Sequence, residues 1–147
     1  MQSLQKPGQG VDDSLEQWLC RIEAQLLVWS YSRQVAVDYA DIGDGVAQYR
    51  MRVVLHNGSQ LHCVERVRLH TNGLRTEKYS FHWQRPDGNL LYRWDNAPHH
   101  PELSTFPHHI HESNDERVLP HEAVDVSGVL EKMEKVLAES FQDEFHK

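Results

Sequence analysis

Apolar residues recur at helical spacing near the two ends of the chain and at a period of two through its middle. Leu15, Trp18, Leu19, Ile22, Leu26 and Trp29 trace one face of a helix from about Ser14 to Trp29, with Asp13 and Glu16 placed as a capping pair. After "SYSRQ" the pattern alternates. "VAVDYADI" reads as a strand ending in the turn "GDG", and "QYRMRVVL" sets Tyr49, Met51, Val53 and Leu55 against Arg50 and Arg52. Asn57-Gly58 is a strong hairpin signal. "QLHCVERVRLH" then puts Leu61, Cys63, Val67 and Leu69 on one side, with His62, Arg66, Arg68 and His70 on the other. "TNG" turns the chain into "LRTEKYSFHW", and "RPDGN" turns it again into "LLYRWD". Beyond Asp125 and Ser127, Leu130, Met133, Leu137 and Phe141 predict a closing helix. The expected fold is α+β, a single antiparallel meander of four or five strands flanked by an N-terminal and a C-terminal helix. The 147 residues make one domain, 1–147, with 1–12 expected to be disordered.

Glu65 interrupts this pattern. Strand parity places it with Cys63 and Val67 on the apolar face, where a carboxylate needs a partner. Arg93, on the neighbouring part of the meander, is the expected one, unless a bulge turns Glu65 to solvent.

Charge sharpens the picture. The net charge of −7 argues against a general nucleic-acid binder, yet Arg33–Arg93 holds nine Lys/Arg against six Asp/Glu. Glu102–Lys147 holds four against eleven. The middle suits an anionic ligand and the acidic end a basic partner, although an uneven solvated surface accounts for the same counts. Arg50, Arg52, Arg66 and Arg68 are the candidate phosphate-binding residues. The start, "MQSLQKPGQGVDD", has neither the basic nor the apolar region of a leader, and no apolar run is long enough to span a bilayer. A cytoplasmic protein without membrane contact is expected, with Cys20 and Cys63 as buried free thiols.

The candidate chemistry lies in "NAPHHPELSTFPHHIHESNDERVLPHE", read as an ordered loop containing four prolines. His99, His100, His108, His109 and His111 fall within thirteen positions. Three readings stand side by side. A zinc or manganese ion held by His99, His109 and His111 fits the residue types, but no recognised ligand spacing is present. Metal-free acid–base chemistry on RNA needs two imidazoles and an arginine, here the histidines and Arg93, with Tyr79 and Trp94 to contact phosphate and bases. A polar turn whose histidines face water is the plainest of the three. The preferred expectation is that His108, His109 and His111 lie closest to the reaction, without a metal cofactor. His99 and His100 complete the site, and Glu65, Tyr79, Asp95 and Asn96 support it.

The stretch "YRWDNAPHHPELSTFPHHIHE" resembles the hallmark of the TumE family of small toxins. There a strand ends in Arg-x-Asp-Asn-Ala and two histidine clusters follow, here Arg93, Asp95, Asn96, Ala97, His99, His100, Pro107, His108, His109 and His111. "LHNGSQLHCVERV", with Glu65, is similar to the family's hairpin segment. The resemblance covers about residues 33–112, and Trp94 inside the motif and the acidic tail are departures from it. It implies a growth-inhibiting toxin of a prokaryotic type II toxin–antitoxin system, an RNA-cleaving one, neutralised by a helix-turn-helix antitoxin. RNA is then the expected target, with a homodimer also compatible. The competing class is a non-catalytic binding module that blocks a host process or acts as a co-repressor.

Overall fold

A computed structural model describes residues 13–114 and 117–145. The expected disorder of 1–12 lies outside the described residues. Helix α1 (Asp13–Val28) precedes five long strands: β1 (Ser32–Gly43), β2 (Val46–Leu55), β3 (Gln60–His70), β4 (Gly73–Gln84) and β5 (Leu90–Asp95). Two short strands, β6 (His109–Glu112) and β7 (Arg117–Pro120), lead to helix α2 (Val126–Phe145). The strands form one antiparallel sheet in the spatial order β1-β2-β3-β4-β5-β6-β7. The α+β meander between two helices therefore stands, with seven strands instead of four or five. The two additional strands come from the segment expected to be a loop. Each has four residues, too few to show a period among prolines and histidines.

Both helices cover the same face of the sheet. Ile22 and Leu26 of α1, Trp29 just beyond it, and Val126, Val129, Leu130 and Met133 of α2 pack with Tyr49, Met51, Val53, Leu61, Phe81, Trp83, Trp94 and Ile110. Alternation then sends Arg50, Arg52, His62, Arg66, His82, Arg93, His109 and His111 to the other face, which no helix among the described residues covers. Cys63 is buried in this core, but Cys20 is exposed on α1, so only one of the two free thiols is inside.

Local chemistry fixes the ends of these elements. At Asn57-Gly58 the chain turns with Gly58 at φ 85°, a conformation that glycine adopts without a Cβ clash. The Asn57 side chain accepts the Ser59 backbone N–H at 2.9 Å. Helix α2 is capped by Asp125, whose Oδ1 accepts the Gly128 N–H at 2.9 Å. Asp125→Ala is expected to lower stability by about 1 kcal/mol, read as an earlier thermal midpoint. An unchanged midpoint would mean that water replaces the cap. For α1, the side chain of the expected cap Asp13 lies outside those described.

Candidate functional site

The sheet's parity divides the histidine segment between its two faces. Within β6, Ile110 pairs with Trp94 on the helix side, so His109 and His111, opposite Asp95 and Arg93, point to the open side. His108 falls on the helix side instead. Its Nδ1 lies 2.8 Å from the Tyr79 hydroxyl, and the two rings stack at 5.8 Å. Burial pushes the Tyr79 phenol up to about 12. The three residues expected nearest the reaction are thus not one cluster. His109 and His111 stand together, and His108 serves a separate cleft of about 380 Å³ lined by Thr76, Tyr79, Asn96, Val124 and Asp125.

Asp95 is the hub of the open-face site. Its Oδ1 accepts the Ala97 backbone N–H at 3.0 Å and lies 2.9 Å from His109 Nε2. Its Oδ2 accepts Arg93 Nε–H at 3.1 Å and lies 3.5 Å from His111 Nε2. The segment after β5 folds back so that the His100 ring meets those of His109 and His111 edge-on, at 5.1 and 5.9 Å. His100 Nδ1 in turn points at Glu102 Oε1, 3.3 Å away. His109 is 2% exposed and its Nδ1 donates to the Pro107 carbonyl at 2.8 Å. His99 lines the exposed rim of this cleft, which has a volume of about 270 Å³ and also takes in Lys78, Ser80 and Arg93. His100, His109 and His111 each bring one donor atom within 4.8 Å of the others. The sequence had grouped His99 with His109 and His111, whereas the histidine whose donor atom lies beside those two is His100.

Three sequence expectations are corrected here. Glu65 does point inward, but its partner is not Arg93, which lies on the opposite face because it alternates with the buried Trp94. Glu65 instead accepts the Tyr49 hydroxyl at 2.5 Å and the Thr76 hydroxyl at 3.3 Å. Burial pushes its carboxyl up to about 6 against the pull of those two hydrogen bonds, and the nearby Asp125 adds to the rise. The same site keeps the Tyr49 phenol and the Cys63 thiol protonated well beyond their usual ranges, through burial first and then Glu65. Second, Trp94 and Tyr79 belong to the helix-side core and do not present rings for stacking on bases from the open face. Third, the arginines are not equivalent. A bulge in β4 re-aims Glu77, whose carboxylate engages both Arg66, at 3.3 Å, and Arg68. Arg50 and Arg52 remain exposed. Asn96 holds the strand end, accepting the Tyr79 N–H at 3.0 Å and donating to the Glu77 carbonyl at 3.1 Å.

His62 and His82, adjacent on the open face with ring centroids 6.0 Å apart, were not singled out from the sequence. Burial, His82 and Arg52 together lower the His62 pKa, in that order of weight. The signal was present in "LHC" and "FHW", where each histidine alternates with core residues. Ala36, Arg52, His62, His82, Arg93 and His111 form one register row across six strands.

The chain is thus an α+β meander with both helices on one face of the sheet and an Asp–Arg–His cluster on the other. The Toxin TumE family model matches residues 13–144, and the chain belongs to this toxin family. No curated protein and no solved structure matches the chain. Among the described residues, no helix is long and apolar enough to cross a membrane.

Proposed function

We propose that this chain is the toxin of a toxin–antitoxin pair and that it cuts RNA on the open face of its sheet. The observation that carries this reading is the row from Arg52 through His62, His82 and Arg93 to His111. Neighbouring strands lie roughly 4.8 Å apart, so the row lays cationic and imidazole groups in a line that ends at the Asp95 cluster. Phosphates along the row meet Arg52 and Arg93, while the cleft beyond receives the reacting group. The partner is a helix-turn-helix antitoxin whose carboxylates cover Arg50 and Arg52 and so compete with RNA for one surface.

Controlled expression with and without a neighbouring helix-turn-helix gene, followed by mapping of RNA ends, tests the reading. Growth arrest with new, recurrent RNA ends, both suppressed by the neighbour, is the expected result. Growth arrest with intact RNA would favour a binding module instead. The Arg50→Glu, Arg52→Glu double variant should bind an RNA oligonucleotide on the order of 10-fold or more weakly, with a salt dependence flattened by about one unit for each phosphate no longer neutralised. An unchanged salt slope would remove these arginines from the RNA surface.

The chemistry of the cut needs more than the histidines alone. A general acid or base must reach the proton that it moves. His109 has one ring nitrogen on a carbonyl and the other on Asp95, and it is buried. Its geometry suits an anchored ligand better than a proton shuttle.

A further inference from the structure

We infer that His100, His109, His111 and Asp95 form a binding site for a first-row divalent transition metal of the zinc type. The donor atoms are already gathered, with one nitrogen of each imidazole within 4.8 Å of the other two and the Asp95 oxygens at 2.9 Å from His109 Nε2 and 3.5 Å from His111 Nε2. Donors on a tetrahedral zinc ion stand roughly 3.4 Å apart, as bonds of ~2.1 Å require. A small contraction of the trio therefore completes the site.

The surroundings of the rings are those of ligands. A metal-binding histidine characteristically gives its other ring N–H to a carbonyl or carboxylate, which fixes the tautomer and aims the lone pair. His109 does this with the Pro107 carbonyl at 2.8 Å, and His100 does it with Glu102 at 3.3 Å. With Nδ1–H committed to Pro107, His109 turns Nε2 toward a carboxylate oxygen only 2.9 Å away. Both groups are satisfied together only if a cation, a proton or a metal ion, sits between them. Arg93 steadies Asp95 from its other oxygen, and burial of Asp95, His109 and His111 excludes competing water. Imidazole-rich sites with one carboxylate suit zinc and its neighbours over magnesium or calcium. Use of the ion on RNA rests on the function proposed above: it would polarise a phosphate oxygen beside Arg93. The site itself does not depend on that reading.

The test titrates the full chain, stripped with EDTA and desalted, with cobalt(II) and then zinc(II). Cobalt is expected to give visible ligand-field bands at one equivalent, which zinc displaces, together with a raised thermal midpoint. His100→Ala, a half-buried change in an irregular segment, should fold as the wild type does and weaken zinc binding about 100-fold. Glu102→Gln should weaken it about 10-fold, and His99→Ala should leave it unchanged. No cobalt bands, or a His100→Ala chain that titrates like wild type, would overturn the site. A His99→Ala chain that loses binding would overturn the assigned trio. Stoichiometric metal without RNA cleavage in any loaded form keeps the site and sinks the RNA reading. Cleavage that persists in excess EDTA, with no cobalt bands, does the reverse.

Discussion

Asp95→Ala is expected to abolish growth inhibition and to lower stability by about 3–5 kcal/mol, the usual cost of removing one partner from a buried charged cluster. The side chain has four neighbours to lose: the Ala97 N–H, Arg93, His109 and, more distantly, His111. Two of these are themselves buried, so alanine leaves polar groups facing the place that the carboxylate filled. Because a destabilised toxin is also a weak one, Asp95→Asn is the informative companion. An amide oxygen still accepts the Ala97 N–H and keeps the strand end in place, but the charge that holds Arg93 and the imidazoles is gone. The asparagine chain should stay folded by thermal melt and still fail to arrest growth. If it were as toxic as wild type, the carboxylate would be a structural pin and the site would have to be sought elsewhere. His109 and His111 make less decisive targets, since both are buried in a strand and alanine there disturbs packing as well as chemistry.

The second large effect concerns Glu65, which sits among core side chains and is held there by the Tyr49 and Thr76 hydroxyls. Its carboxyl is raised from 4.5 to about 6 by burial, so the folded chain holds this proton more tightly than the unfolded chain does. Stability from this group is full below about pH 4.5 and is lost as pH rises through 6, above which the penalty is complete. Ionising the carboxyl in its buried place then costs about 2 kcal/mol of stability. Glu65→Gln imitates the protonated form, able to accept from Tyr49 while its amide meets Thr76. Denaturant melts should show the variant more stable than wild type by up to about 2 kcal/mol at pH 7.5, and a flatter profile between pH 4.5 and 6. A variant clearly less stable at pH 7.5 would show that the ionised carboxylate stabilises the fold. Pairing with Arg93, as the sequence suggested, would have required that opposite outcome.

These two residues also mark how far the chain could be read without coordinates. Alternation in "QLHCVERVRLH" was enough to turn Glu65 inward, because each strand position commits its side chain to one face. Its partner was out of reach. Thr76 shares a face with Tyr79 only because the bulge at Glu77 shifts the register, and the sequence does not announce a bulge. The same bulge ties up Arg66 and Arg68, which parity alone left equivalent to Arg50 and Arg52. In the histidine segment the residue types were legible but their grouping was not. Reading 96–122 as a loop hid β6, although the alternation of His109, Ile110 and His111 already carried the division between faces. Only the fold-back after Asp95 chooses His100 over His99, by bringing its ring to β6 in a way that no local pattern encodes.

The order of the sheet has a kinetic consequence. Every strand pairs with its neighbours in the chain, so the hairpins from β1 to β5 close over short turns and sacrifice little chain entropy, and only the step from β5 to β6 spans the longer segment 96–108. The polar face can therefore be laid down in step with synthesis, from one end to the other. Its opposite face cannot be sealed so early. Trp83 and Trp94 await Val129 and Met133, which belong to α2 and follow every strand of the sheet in the chain. A ribosome thus releases the ladder before the helix that shields its aromatic side, and the core closes only once α2 has emerged.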